Sequence, residues 1–189
     1  MKVLTISGSL REEAFSTRLA EAAAELAPEG VELSLYDGLD EIPGFNADLE
    51  SAVPAAVEDL RDRIEQADAL LIITPEYNAG VPGQLKNAID WASRPHGESA
   101  LAGKPAAVLS SSPMPFGAIW ANQQVRKAFT ITGTPTVERE LAIGKIDEKI
   151  DDGNRLTDDT ARADLTALLA ELNELVAVIA DQEGEAVAA

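Results

Sequence analysis

The chain has 189 residues, 46% of them hydrophobic and 25% charged, enough to bury a full core without metal or disulfide staples. It has no cysteine, which excludes a thiolate nucleophile, a thiolate metal site and a disulfide framework. Against 33 Asp and Glu stand 15 Lys and Arg, so the formal net charge is −18, a surface that repels nucleic acid and anionic lipid.

Lys2 to Ser7 is short, apolar and partly β-branched, and reads as a strand. Its apolar run is too short for a signal peptide or a membrane span, so the chain is read as cytoplasmic. Gly8-Ser9-Leu10-Arg11 follows as a loop. Ser16 or Thr17 is placed to cap a helix to about Leu26, with Leu19, Ala23 and Leu26 on one face. Val31 to Tyr36 alternates as a second strand. A polar stretch from Asp37 to Ser51 precedes a helix with Pro54 in its first turn and Val57, Leu60 and Ile64 inward.

Ala69 to Thr74 is an unbroken apolar run, the pattern of a strand buried on both faces of a parallel sheet. Pro75 to Gly83 reads as a loop and Gln84 to Ala92 as a helix. Pro105 to Leu109 is a fourth strand, Ser110 to Pro115 a loop, and Ala118 to Ile131 a helix. Thr136 to Ala142 reads as a fifth strand. A last helix runs from Asp158 to about Ile179, with Leu165, Leu168, Leu169, Leu172 and Val176 inward; Asp181 to Ala189 reads as a frayed tail.

Strands and helices alternate throughout, the pattern of a parallel sheet covered on both sides. The expected fold is α/β, one flavodoxin-like, doubly wound domain over residues 1–189 with strand order 2-1-3-4-5. In that order ligands sit beyond the C-terminal strand ends, at the switch point between strands one and three.

The loops after strands one, three and four carry unusual residues. The first, Gly8 to Thr17, has the small residues and helix start of an anion site; Ser9, Ser16 and Thr17 add hydroxyls and Arg11 a cation. It is neither a Walker loop nor a G-x-G-x-x-G fingerprint. The second, Thr74 to Gly83, is stiffened by two prolines and two glycines; a rigid loop can aim backbone N–H groups at a planar ligand, and Tyr77 offers a ring or hydroxyl. Leu85, Ala88, Ile89 and Trp91 behind it read as a packed helix face. His96, the one histidine, lies in a turn-like Arg94-Pro95-His96-Gly97 and reads as a surface residue. Ser99 to Val137 holds no Asp or Glu but includes Lys104, Arg126 and Lys127: an island for an anionic cofactor, a subunit interface, or both.

Pro75-Glu76-Tyr77-Asn78, then Val81-Pro82-Gly83 and Leu85-Lys86-Asn87-Ala88-Ile89-Asp90-Trp91, resembles the signature of the NADPH-dependent FMN reductase family, which includes quinone, azo-dye and chromate reductases. Gly8-Ser9-Leu10-Arg11 is similar to that family's phosphate loop. The resemblance runs in order over most of the chain and is loosest after strand five. It implies FMN as cofactor, NADPH or NADH as hydride donor, flavin N5 as the reacting atom with no catalytic side chain, a small-molecule acceptor, and a homodimer or homotetramer. By the same resemblance Ser9 and Arg11 match phosphate ligands, with Ser16 and Thr17 beside them. Pro75, Glu76, Tyr77 and Asn78 match the loop holding the ring and ribityl chain, largely through backbone. Ser111 and Ser112 stand where the third loop touches the flavin, and Gly117 and Arg126 fit the helix after it. Lys104, Arg126 or Lys127 is expected to meet the nucleotide phosphates.

The chain departs from the family in places. Ala14 and Ser16 stand where Ser and Asn are frequent, and Ser16 can substitute for the amide. Pro113-Met114-Pro115-Phe116-Gly117 replaces adjacent glycines, Trp120 stands where Arg is frequent, and Ala79 is smaller than usual. The rival readings are a flavodoxin-like electron carrier, a ligand-binding module without flavin, and, remotely, a serine hydrolase, which lacks the G-x-S-x-G elbow.

Overall fold

The computed structural model describes residues 1–188. Five strands, β1 (Lys2–Ser7), β2 (Glu32–Leu35), β3 (Ala69–Thr74), β4 (Ala106–Ser112) and β5 (Leu141–Gly144), form one parallel sheet in the order β2-β1-β3-β4-β5. The α-helices between and after them are α1 (Phe15–Glu25), α2 (Ala55–Gln66), α3 (Gly83–Ala92), α4 (Ile119–Thr132) and α5 (Asp159–Ala188). This is the flavodoxin-like order that the strand pattern predicts. Among the described residues no helix is long and apolar enough to cross a membrane.

Strand β3 shows why the sheet is covered twice. All six of its residues are buried. Side chains alternate across a strand, so Leu70 and Ile72 join Leu4, Ile6 and Val108 on one face. That face packs on Leu60 and Ile64 of α2, Trp91 of α3 and Phe129 of α4. Leu71 and Ile73 join Val3, Ala107 and Leu109 on the other, under Leu19 and Ala23 of α1 and Leu165, Leu168, Leu169 and Leu172 of α5. A one-residue slip would exchange the two sets. Packing therefore fixes the register from Val3↔Ala69 to Ser7↔Ile73, which sets the C-terminal ends of β1 and β3 side by side.

Three boundaries differ from the sequence reading by three residues or more, the first two for a tertiary reason. Strand β4 continues through Ser112, because Ser110, Ser111 and Ser112 pair with Ala142, Ile143 and Gly144 of β5. Strand β5 begins at Leu141, not Thr136. Thr136 makes only an isolated bridge to Ala106, and the carbonyls of Val137, Glu138 and Arg139 accept from the Arg126 guanidinium instead of a ladder partner. Helix α5 runs past Ile179 to Ala188 through a segment in which three Ala, two Glu and one Gln, all good helix formers, outweigh Asp181, Gly184 and Val187; Ala189 lies outside the described residues.

Candidate functional site

The chain leaves β1 through Gly8, whose N–H donates to the Ile73 carbonyl at 2.8 Å. A methyl there would lie 2.9 Å from Leu85 Cδ2 and 3.2 Å from Pro75 Cδ, so the first loop turns hard against the second. Helix α1 then starts with Ala14 in the capping position and no side-chain cap. Ser16 and Thr17 are not caps. They sit inside the first turn and reach back to β1: Ser7 donates to Ser16 Oγ at 2.9 Å, and Thr17 Oγ1 lies 3.0 Å from the same Ser7 oxygen. A hydroxyl has one proton to give. Ser7 spends its proton on Ser16, so Thr17 donates to Ser7, and the Ser16 proton remains for another acceptor. The Phe15 and Ser16 backbone N–H groups, at the same turn, make no hydrogen bond among the described residues.

The second loop is a two-residue hairpin. Tyr77 and Gly80 exchange N–H···O bonds at 3.0 and 3.1 Å, and both central residues, Asn78 and Ala79, have positive φ, 53° and 58°. That is the primed turn in which Asn is at home and Ala is strained. The conformation costs an alanine roughly 1–2 kcal/mol, and glycine's greater unfolded-state freedom returns about 0.4–1 kcal/mol of that. Ala79→Gly is therefore expected to stabilise the protein by about 0.5–1 kcal/mol, read as a higher urea midpoint at unchanged slope. A lower midpoint would show that the Ala79 methyl packs better than its backbone is strained.

Two contacts fasten this hairpin to α4. Helix α4 begins at Ala118, which has φ 64° and no capping side chain. The cap comes from Glu76, whose Oε2 accepts from the Ala121 N–H at 3.0 Å and places a carboxylate at the positive helix end. Gln124 accepts from Val81 N at 3.1 Å and donates to the Ala79 carbonyl at 3.2 Å. The Glu76 side chain is thus spent on the scaffold. Ser9 Oγ and Tyr77 Oη, 3.0 Å apart, tie the first loop to the second.

The third loop, Pro113 to Gly117, lies on the end of β5. The Met114 carbonyl accepts from Gly117 N at 3.2 Å and Lys145 N at 3.3 Å. Ser112 Oγ accepts from Met114 N at 3.0 Å. Ser111, 1% exposed, has a hydroxyl with no hydrogen-bond partner.

The three loops enclose a cleft of about 140 Å³, lined by Ser9, Arg11, Ala14, Phe15, Ser16, Pro75, Glu76, Tyr77, Ser111, Ser112 and Pro113. It lies beyond the C-terminal ends of β1, β3 and β4, at the switch point. Eight of the residues singled out from the sequence meet there. Thr17 does not line it and acts through Ser7. Asn78 is exposed at the hairpin tip, outside the cleft. Phe15, which sequence reasoning passed over as a loop residue, does line it, with the Arg18 guanidinium 5.3 Å over its ring. Of the expected phosphate cations, Arg126 is taken by the three carbonyls named above. Lys104 donates to the Glu65 and Ala67 carbonyls at the N-terminal edge of the sheet. His96 is exposed after α3 and does not line the cleft.

The profile of the NADPH-dependent FMN reductase family matches residues 1–148. A quinone reductase of Pseudomonas putida is 41% identical over 160 residues, 84% of this chain and 86% of that protein. A 2-hydroxy-1,4-benzoquinone reductase of a Burkholderia species is 36% identical over 164 residues, 86% of this chain and 89% of that protein. The solved structure of FerB, a flavoenzyme NAD(P)H:(acceptor) oxidoreductase from Paracoccus denitrificans, superposes with a TM-score of 0.82 at 34% identity, covering 95% of this chain and 97% of that one. With its sheet order, its three-loop cleft and these relatives, the chain belongs to the NADPH-dependent FMN reductase family and is an FMN-dependent oxidoreductase fed by NAD(P)H.

Proposed function

We propose that the cleft takes FMN with its phosphate against the first loop and its ring against the second and third, and that the electrons go to a quinone. The observation that carries this is the set of unspent donors at one end of the cleft. They are the Phe15 and Ser16 N–H groups and the Ser16 hydroxyl proton at the start of α1, where the helix dipole also favours an anion, and beside them the Arg11 guanidinium, which spends one N–H on the Glu13 carbonyl at 3.2 Å and keeps the others. A phosphate dianion only accepts, so it matches them. Ala14 lines the same end with a methyl and offers nothing to it. At the other end, the buried and partnerless Ser111 hydroxyl suits one polar edge of a flat ring, Ser112 stands beside it, and Pro75, Tyr77 and Pro113 supply apolar faces. Glu76 and Asn78 serve that ring through the rigid hairpin backbone.

When bound, FMN supplies the atom that takes a hydride from NAD(P)H and gives the electrons on. The protein's own residues bind, orient and wall the site; no side-chain acid or base is called for. The quinone reading is supported by the two quinone-reducing relatives and by an exposed apolar rim, Met114 at 66% and Phe116 at 67%, on the loop beside the cleft. Assembly into a homodimer or homotetramer is part of the proposal. The apolar residues of α3 are spent in the core, so its support passes to exposed Met114, Phe116 and Ile131. A cytoplasmic setting, where NAD(P)H is supplied, fits a chain with no cysteine.

The test is an absorbance spectrum after adding FMN and removing the excess, followed by anaerobic NADPH and then benzoquinone. The expected result is retained flavin that bleaches with NADPH and recovers with the quinone. Failure to retain flavin would remove the cleft assignment; flavin that stays oxidised would leave only a holder reduced by some partner.

A further inference from the structure

Between Ile150 and Leu156 the connection from β5 to α5 folds into a closed turn. Ile150 and Leu156 pair by an isolated antiparallel bridge, and both are buried in the core that the sheet shares with α1 and α5. Asp151 ties the turn across its tip: its Oδ1 accepts from Gly153 N and Arg155 N, both at 2.9 Å. Anchored at both ends, the turn is a fixed point rather than a loose loop. It is fastened to one stripe of α1, where Arg18, Glu21 and Glu25 recur at helical spacing. Arg18 Nε donates to Asn154 Oδ1 and Arg18 Nη2 to the Asp151 carbonyl, each at 2.7 Å. Asn154 Nδ2 donates in turn to Glu21 Oε2 at 2.8 Å, and Arg155 faces Glu25 at 3.7 Å.

A planar guanidinium held by two bonds cannot turn freely, so it fixes what it covers. What it covers is the Phe15 ring, with 5.3 Å between the guanidinium carbon and the ring centroid. Phe15 opens α1 and lines the cleft, and its own N–H is one of the unspent donors there. Arg18 itself does not line the cleft. We propose that Arg18 is a positioning residue for the cofactor phosphate. Gripped by the Asp151–Asn154 turn, it holds the Phe15 ring and with it the first turn of α1, so that the Phe15 and Ser16 N–H groups stay aimed at one point. The inference rests on the flavin reading of the cleft. Helix α1 needs such a clamp because Ala14, at its capping position, has no side chain to cap with. An uncapped helix start frays, and a frayed turn scatters the donors that an anion requires together. The turn thus acts on the phosphate without touching it, through two hydrogen bonds and one cation–ring contact.

The experiment measures dissociation constants for FMN and for riboflavin, which has the same ring and ribityl chain but no phosphate, on the full chain and two variants. Asn154→Gly removes the Arg18 acceptor and keeps a residue at ease with the φ of 60° found there. Arg18→Lys keeps the charge and loses the planar fork. Both are expected to weaken FMN about three- to tenfold, the scale of a hydrogen bond or two, and to leave riboflavin unchanged. Amide exchange of the flavin-free protein is read alongside. The Thr17 and Arg18 N–H groups both donate to the Ala14 carbonyl at 3.0 Å, and they are expected to exchange faster in Asn154→Gly than in wild type. Equal losses of FMN and riboflavin would make the clamp a general support of the fold and overturn the proposal. Full FMN affinity in Asn154→Gly or unchanged exchange would overturn it too, and full affinity in Arg18→Lys would do so by showing that charge alone acts. Exchange is read without flavin, so a wild-type protein with no preference for FMN over riboflavin would strike the cleft reading and leave exchange to judge the clamp.

Discussion

Gly144→Ala is expected to destabilise the protein by about 3 kcal/mol, at the upper end of the usual overpacking penalty. The added methyl would sit 2.1 Å from the Pro115 oxygen and 2.7 Å from its carbonyl carbon. Both are backbone atoms, so no side chain can swing aside. Gly117, across the same contact, has φ 61°, and a methyl on it would come within 2.7–2.8 Å of backbone atoms of Ala142, Ile143 and Gly144. The third loop and β5 are therefore locked by two glycines, one from each side. Relief means lifting Pro113 to Gly117 off the strand, and that moves the Ser111–Pro113 wall of the cleft. The melting temperature is expected to fall by about 6–12 °C, and FMN affinity about tenfold with it. Gly133→Ala is the control. Its φ is 73°, but the space around it is open and it lies at the far end of α4. It is expected to cost about 1 kcal/mol of strain and leave FMN binding alone. If Gly144→Ala melts like wild type, the loop is not seated on β5 as described.

What was legible in the sequence was what local patterns encode. The six apolar residues of β3 announce a strand buried on both faces, and the alternation of strands with helices leads to the sheet order. The loops that meet at the cleft could be named because they follow three strands whose ends that order brings together. The misreadings share a different cause. Polar Ser110, Ser111 and Ser112 read as loop, yet they extend β4, because β5 pairs with them and Asn122 of α4 donates to the Val108 and Leu141 carbonyls and to Ser110 Oγ. Thr136 to Glu140 has strand character, but Arg126 of α4 claims the carbonyls of Val137, Glu138 and Arg139. Ser16 and Thr17 are ordinary capping residues by type, and only the return of α1 to β1 turns their hydroxyls to Ser7. The cap of α4 comes from Glu76, more than 40 residues earlier in the chain. None of these partners is a neighbour in sequence. The same holds for Gly117 and Gly144, which look unremarkable until the loop docks.

The hydroxyls behind the first loop give the second large effect, and a graded one. Ser16 is 1% exposed and lines the cleft; Ser7 stands behind it, and Thr17 behind Ser7. With an anion accepting from Ser16, all three protons point the same way, from Thr17 through Ser7 to Ser16 to phosphate, and each bond polarises the next. Ser16→Val removes the final donor and leaves the Ser7 proton without its acceptor. It is expected to weaken FMN about 10–100-fold, the range for a hydrogen bond to a charged group, and to lower stability by about 1–3 kcal/mol for the buried group left unpaired. Thr17→Val keeps the Ser7–Ser16–phosphate order and removes only the outermost polarising bond. It is expected to weaken FMN less than about threefold, and Thr17→Ser to restore it. Dissociation constants from flavin fluorescence, measured on the three variants, decide the matter. Equal losses in Ser16→Val and Thr17→Val would mean that Thr17 touches the phosphate itself, as its place in the sequence first suggested. A steep fall from Ser16 to Thr17 would mean that the protein orients a single hydroxyl from inside its own sheet.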